Sequence, residues 1–297
     1  MTIKLGVIGS SSGNGHPYSW SAIFNGYNKL NMEKCGFPSI PKYLSKQTWP
    51  EAQIDSAKVV SIWTQDRRQS EHIAKSVYIN NISKSLSVMN KDVDAILLAR
   101  DDAENHMEIA KPFLLSGKPI YIDKPIALSK EKLYEIYDLE QYEGQIFTCS
   151  ALRYSNNLIL SKKDRFKIGS IVSISASSPN SWDKYAIHLI EPLLNIIPSD
   201  DFPLRIKKTR TDSEAVTLNI DWKSGIHSEL STLGLVESKI RIKVIGTKSS
   251  KELVFEDPFN AFKSALNDFM HGIINQECRS RFEFNLRAVS LIEEGLK

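Results

Sequence analysis

The chain has 297 residues, 41% of them hydrophobic and 25% charged, with a formal net charge of +3. That length buries a large core and suggests two domains, while the small, scattered charge is too weak to imply a nucleic-acid or membrane partner. Cys35, Cys149 and Cys278 lie far apart without CxxC spacing, which points to a reduced, cytoplasmic setting and away from a disulfide scaffold.

The first half alternates strands and helices. Ile3 to Ile8 is a short apolar strand, with no charged-then-apolar leader before it, and a Gly/Ser-rich turn follows. Pro17 stands where a helix starts, and Ser19 to Leu30 reads as that helix. Residues 31–57, with Pro38, Pro41 and Pro50, read as an inserted loop. Lys58 to Trp63 is a second strand, followed by a polar helix over Arg67 to Val77. Val93 to Ala99 is nearly continuous in apolar character, as a strand buried on both faces should be. Glu104 to Ser116 reads as a helix stopped by Gly117, Ile120 to Ile122 as the fourth strand, and Gln145 to Thr148 as a fifth. Between the last two, Ser129 caps a further helix.

The second half has another pattern. Ser170 to Ser177 alternates like a half-buried strand, and Tyr185 to Ile197 looks helical. Strand-like runs follow near Arg205–Thr209, Ala215–Trp222, Ile226–Thr232 and Ile240–Ile245, and two helices close the chain, Phe259 to Ile274 and Phe284 to Leu296. The expected fold is α/β, a Rossmann-type doubly wound parallel sheet, then an α+β domain with a mostly antiparallel open sheet. The boundary falls between Pro125 and Leu152; we divide the chain into 1–128 and 129–297. No apolar stretch is long enough to span a bilayer.

Five places concentrate chemistry. The first turn reads Gly9-Ser10-Ser11-Ser12-Gly13-Asn14-Gly15-His16-Pro17, where Gly9, Ser10, Ser11 and Gly13 could cradle a pyrophosphate, although the glycines fall as GxxxGxG and not GxGxxG. The second strand ends Trp63-Thr64-Gln65 without the carboxylate that binds a ribose 2′-hydroxyl. With Thr64, Gln65 and Arg68 there, a 2′-phosphate is favoured, hence NADP over NAD. The third strand runs into Ala99-Arg100-Asp101-Asp102-Ala103-Glu104-Asn105-His106, a polar loop that would face a cofactor through Ala99, Arg100 and His106. The fourth ends Asp123-Lys124-Pro125, which delivers a lysine to the carboxyl edge of the sheet, where ligands of open α/β folds bind. Downstream, Lys184 and His188 share a helical face, with Tyr185 three residues before His188 and Glu191 a turn beyond it. No pair of residues has metal-ligand spacing.

Together these pieces resemble the glucose–fructose oxidoreductase / inositol dehydrogenase family (Gfo/Idh/MocA). Its Glu-Lys-Pro stands here as Asp123-Lys124-Pro125, its Ala-Thr-Pro loop and following histidine as Ala99-Arg100-Asp101 and His106, and its helical Asp-x-x-x-His as Lys184 and His188. The resemblance implies Lys124 beside the substrate hydroxyl, His188 as general acid/base, a cis Lys124–Pro125 bond, and Lys184 or Asp183 assisting His188. Asp123 and Lys124 also join the cofactor contacts. The implied activity is NAD(P)-dependent hydride transfer to or from a hydroxyl or ketone of a sugar, sugar acid or nucleotide sugar, in a chain that associates into homo-oligomers. A C=N or enone reductase is a third option. The departures at the glycines, at the second strand and at Lys184 keep open a non-catalytic ligand sensor or regulatory protein on the same fold.

Overall fold

The computed structural model describes residues 2–211 and 214–297; Met1, where the expected first domain begins, lies outside them. The chain divides into two compact units: Met1–Ala127, Glu131–Thr148 and Phe262–Phe282 form the first, and Leu128–Lys130, Cys149–Ala261 and Glu283–Lys297 the second.

The first unit is built on β1 (Ile3–Ile8), β2 (Ala57–Trp63), β3 (Asn81–Ile82), β4 (Ala95–Leu98), β5 (Ile120–Ile122) and β6 (Ile146–Phe147), all parallel, in the order β3-β2-β1-β4-β5-β6. This is the doubly wound order, in which the chain reverses direction across the sheet between β1 and β4. Every residue of β4 and β5 is buried, so both faces of these strands are covered. Connecting helices are α1 (His16–Asn25), α2 (Lys29–Met32), α3 (Ser39–Leu44), α4 (Arg67–Ser76), α5 (Leu86–Asp92), α6 (His106–Leu115) and α7 (Lys130–Tyr137). Asp66 caps α4 by accepting from Arg68 N, and Ser85 caps α5 by accepting from Val88 N.

The supposed insertion is not a loop. It contains α2 and α3, and Ile40, Tyr43, Leu44, Ala52 and Ile54 are buried. Prolines at 38 and 41 misled the reading because both fall in the opening turn of α3, where proline's missing N–H costs nothing.

The second unit carries α8 (Lys162–Ile168), β7 (Ile171–Ser178), α9 (Trp182–Tyr185), α10 (Ile187–Ile196), β8 (Pro203–Arg210), β9 (Val216–Trp222), β10 (His227–Thr232), β11 (Arg241–Gly246) and β12 (Ser250–Val254). Its sheet runs β12-β11-β7-β10-β9-β8, antiparallel except for the β7–β10 pair. Alternation decides its faces: Val216, Leu218, Ile220 and Trp222 point into the core that α10 completes, and Asp221, Glu229 and Lys243 point out. Of the closing helices α11 (Pro258–Asn275) and α12 (Phe282–Leu296), α12 packs tightly on α9, since a Cβ at Gly295 would lie 2.1 Å from the Trp182 ring. Trp182 Nε1 donates to Ile292 O at 2.9 Å.

Candidate active site

The glycine turn leaves β1 and is pinned at once. Gly9 N donates to Trp63 O, and Gln65 grips Ser10 from both sides, accepting from its N–H at 3.1 Å and donating to its carbonyl at 2.7 Å. The Ser10 hydroxyl donates to Gln69. A Cβ at Gly9 would stand 2.6 Å from Pro17 Cγ, so this glycine lets α1 approach the strand. Gly15 serves another purpose: a Cβ there would meet Ile40 Cδ1 at 2.6 Å, so the segment around α3 closes onto the turn. Gly13 has φ +80° and open space where a Cβ would go. Among the described residues, the N–H groups of Ser11, Gly13 and Gly15 have no acceptor. They stand at the head of a ten-residue helix with no acid in its first turn. Backbone donors, a positive helix end and room beside Gly13 fit the diphosphate of a dinucleotide.

At the carboxyl end of β5, Asp123 is 1% exposed and accepts from Asn14 Nδ2 at 2.8 Å, His16 Nδ1 at 2.5 Å and, through Oδ1, Lys124 N at 2.8 Å. The turn and the Asp-Lys-Pro corner are thus one hydrogen-bonded unit. The Lys124–Pro125 bond is cis, as the resemblance implied. Lys124 is 6% exposed, and its Nζ lies 3.7 Å from Asp101 Oδ2. Asp101 is held in turn by Ser11, whose hydroxyl donates to Oδ1 at 2.6 Å and accepts from Asp101 N at 3.0 Å. A buried ammonium needs such a fixed counter-charge. Sequence reasoning gave Asp101 no role of its own; its one signal was an acid directly past a buried strand.

The Ala99–His106 loop folds on itself. Ala99 is fully buried and donates its N–H to Ile8 O. Arg100 forks onto Asp102 and donates to Gln65 Oε1 at 3.0 Å. Burial alone would raise the Asp102 carboxyl, but hydrogen bonds from Arg100 and Asn105 outweigh it and hold it below the ordinary range. His106 is completely buried, with its ring nitrogens against the carbonyls of Ile126 and Arg100, so it shapes the loop from beneath. Thr64 also turns inward, donating to Asp66 O at 2.6 Å and meeting Ser70 Oγ at 2.8 Å. Arg68 is exposed at the start of α4. The geometry therefore joins Ser10, Gln65 and Arg100 in one network and Ser11, Asp123 and Lys124, through Asp101, in a second beside it, and sets Thr64 and His106 into supporting positions.

In the second unit, His188 is 9% exposed, its Nδ1 lies 2.8 Å from Ser150 Oγ, and Tyr185 presses edge-on at 5.2 Å. Lys184, half-buried on α9, precedes it by one turn. Glu191, one turn past His188 on α10, is 2% exposed and accepts from Ser150 N at 2.8 Å, with Arg153 3.6 Å from Oε2. Burial pushes the Glu191 carboxyl up to about 7 against the opposing pull of Arg153 and the Ser150 N–H. For Arg153, burial works to lower its pKa but Glu191 wins, and the guanidinium is held above its ordinary range. Ser150 and Arg153 escaped the sequence reading, since nothing local links them to a helix some 40 residues on.

Residues 35–150 match the model of an oxidoreductase family with an NAD-binding Rossmann fold, GFO_IDH_MocA. An uncharacterized oxidoreductase of Synechocystis sp. is 28% identical over 144 residues; the match takes in 43% of this chain and 38% of that protein, well under half its length. Among solved structures, myo-inositol 2-dehydrogenase from Lactobacillus plantarum superposes with a TM-score of 0.75 at 14% identity, covering 100% of this chain and 96% of that one. Scyllo-inositol dehydrogenase from Lactobacillus casei, solved with NAD(H) and scyllo-inositol, gives 0.71 at 15% identity over 98% and 95%. At such identities the likeness is one of fold. The glycine turn and α1 precede the matched segment, and the Lys124 corner lies within it. Over residues 35–150, then, this chain is similar to the Gfo/Idh/MocA oxidoreductase family.

Proposed function

We propose that the protein is an NAD(P)-dependent oxidoreductase that transfers a hydride between nicotinamide and a hydroxyl or ketone of a sugar or sugar derivative. The observation that carries this reading is Lys124, buried at the carboxyl end of β5 with Asp101 as its fixed counter-charge and tied through Asp123 to the glycine turn. The Ser11, Gly13 and Gly15 N–H groups would hold the cofactor's diphosphate, and the exposed Arg68 a 2′-phosphate. NADP remains the favoured form, because no carboxylate stands at Trp63-Thr64-Gln65 and Asp66 is spent on capping α4. When bound, the nicotinamide accepts or returns the hydride. The chain's own work is to orient the substrate oxygen and exchange its proton, for which Lys124 is the candidate.

In the reduction direction the hydride arrives at the carbonyl carbon while the oxygen takes a proton, which the Lys124 ammonium can donate, so loss of Lys124 should spare most cofactor binding and sharply lower turnover. Lys124→Ala is expected to keep its NAD(P)H fluorescence titration and lose about 10²–10⁴ in kcat with polyol and sugar substrates. Near-normal turnover would sink the assignment. The second reading, a sensor that kept the fold, draws on Gly15 serving the α3 contact and on Lys184 where the family has Asp. Substrate-dependent NAD(P)H formation refutes it.

A further inference from the structure

Ser150 is fully buried at the N-cap of a short 3-10 turn, Ala151–Tyr154. Its backbone N–H donates to Glu191 Oε1 at 2.8 Å, and its carbonyl accepts from Arg153 N at 3.2 Å. Its hydroxyl oxygen accepts from Leu152 N at 3.3 Å and lies 2.8 Å from His188 Nδ1. The hydroxyl proton therefore has a single acceptor among the described residues, the Nδ1 lone pair. Were Nδ1 protonated instead, the buried O–H would have nowhere to go, an arrangement disfavoured by roughly tenfold or more.

We propose that Ser150 is a positioning residue that holds neutral His188 as its Nε2–H tautomer, so that the ring offers a ligand oxygen a hydrogen-bond donor and not a proton acceptor. Glu191 fixes Ser150 from behind, and Tyr185 fixes the ring plane. Resting on the oxidoreductase reading, this makes His188 a hydrogen-bond donor to a substrate oxygen.

Long-range ¹H–¹⁵N NMR on the full chain, labelled at histidine and assigned with His188→Gln, reads the tautomer directly. A pyridine-like Nδ1 and pyrrole-like Nε2 are expected for the neutral ring; a pyrrole-like Nδ1 overturns the proposal. In Ser150→Ala the Nδ1 resonance should move and kcat fall about twofold to tenfold with KM little changed, both restored in Ser150→Thr. An unmoved Nδ1 resonance in folded Ser150→Ala also overturns it. If the tautomer is as expected while no substrate turns over, the oxidoreductase reading fails and the Ser150 assignment stands.

Discussion

Replacing Glu191 with glutamine isolates the energetic consequence of burying a carboxyl group in the second unit. Among the described residues Glu191 Oε2 has no hydrogen-bond partner, and Arg153 stands 3.6 Å away, beyond hydrogen-bonding distance. In the unfolded chain the group ionises near its ordinary 4.5, and in the fold burial raises this to about 7. Folding therefore favours the protonated form. That stabilisation is fully present below about pH 4.5 and is lost as the pH rises through 7. Linkage gives a loss of roughly 2–3 kcal/mol between pH 5 and pH 8. The amide introduced by Glu191→Gln would keep an oxygen for the Ser150 N–H but could not ionise. Urea unfolding of both proteins at pH 5 and pH 8 should show the variant gaining roughly 2–3 kcal/mol relative to the wild type at the higher pH. Parallel stabilities across that range would refute the argument, because the carboxyl would then ionise in the fold as readily as in water.

Gly9→Ala places a methyl 2.6 Å from the Pro17 ring, which α1 cannot easily yield, so a destabilisation of about 1–3 kcal/mol is expected. An unchanged denaturation midpoint would contradict the close approach of helix and strand. Arg68→Ala should weaken NADP by about tenfold or more and leave NAD untouched, since only the former offers a phosphate to the guanidinium. Fluorescence titration checks this, and equal affinity of the wild type for both cofactors removes the idea.

The centre of the parallel sheet was legible because β4 (Ala-Ile-Leu-Leu) and β5 are buried on both faces and read as unbroken apolar runs, whereas the two-residue edge strand β3, with no buried side chain, was missed. The Asp123-Lys124-Pro125 corner was legible because strand and motif are contiguous. β12 was missed for the opposite reason. As an edge strand, Ser250–Val254 exposes three of five side chains and shows almost no hydrophobic period. Asp101 and Ser150 were missed because their meaning lies in partners far along the chain: Ser11, 90 residues before Asp101, and His188, 38 after Ser150. Thr64 follows β2 and His106 opens α6, but both side chains face inward, a choice that sequence spacing does not encode.

The composition of the first unit bears on how the chain emerges from the ribosome. Phe269, in α11, closes against Tyr121 and Phe147 at 5.7 and 5.6 Å, and Ser280 Oγ exchanges hydrogen bonds with the backbone of Thr148. When the last strand of the parallel sheet has been synthesised, the segment that covers β5 and β6 is still more than a hundred residues away. The nascent sheet thus waits with an aromatic edge uncovered while the entire β7–β12 sheet is made. A gene cut after residue 150 would encode that unfinished intermediate, not an autonomous nucleotide-binding domain.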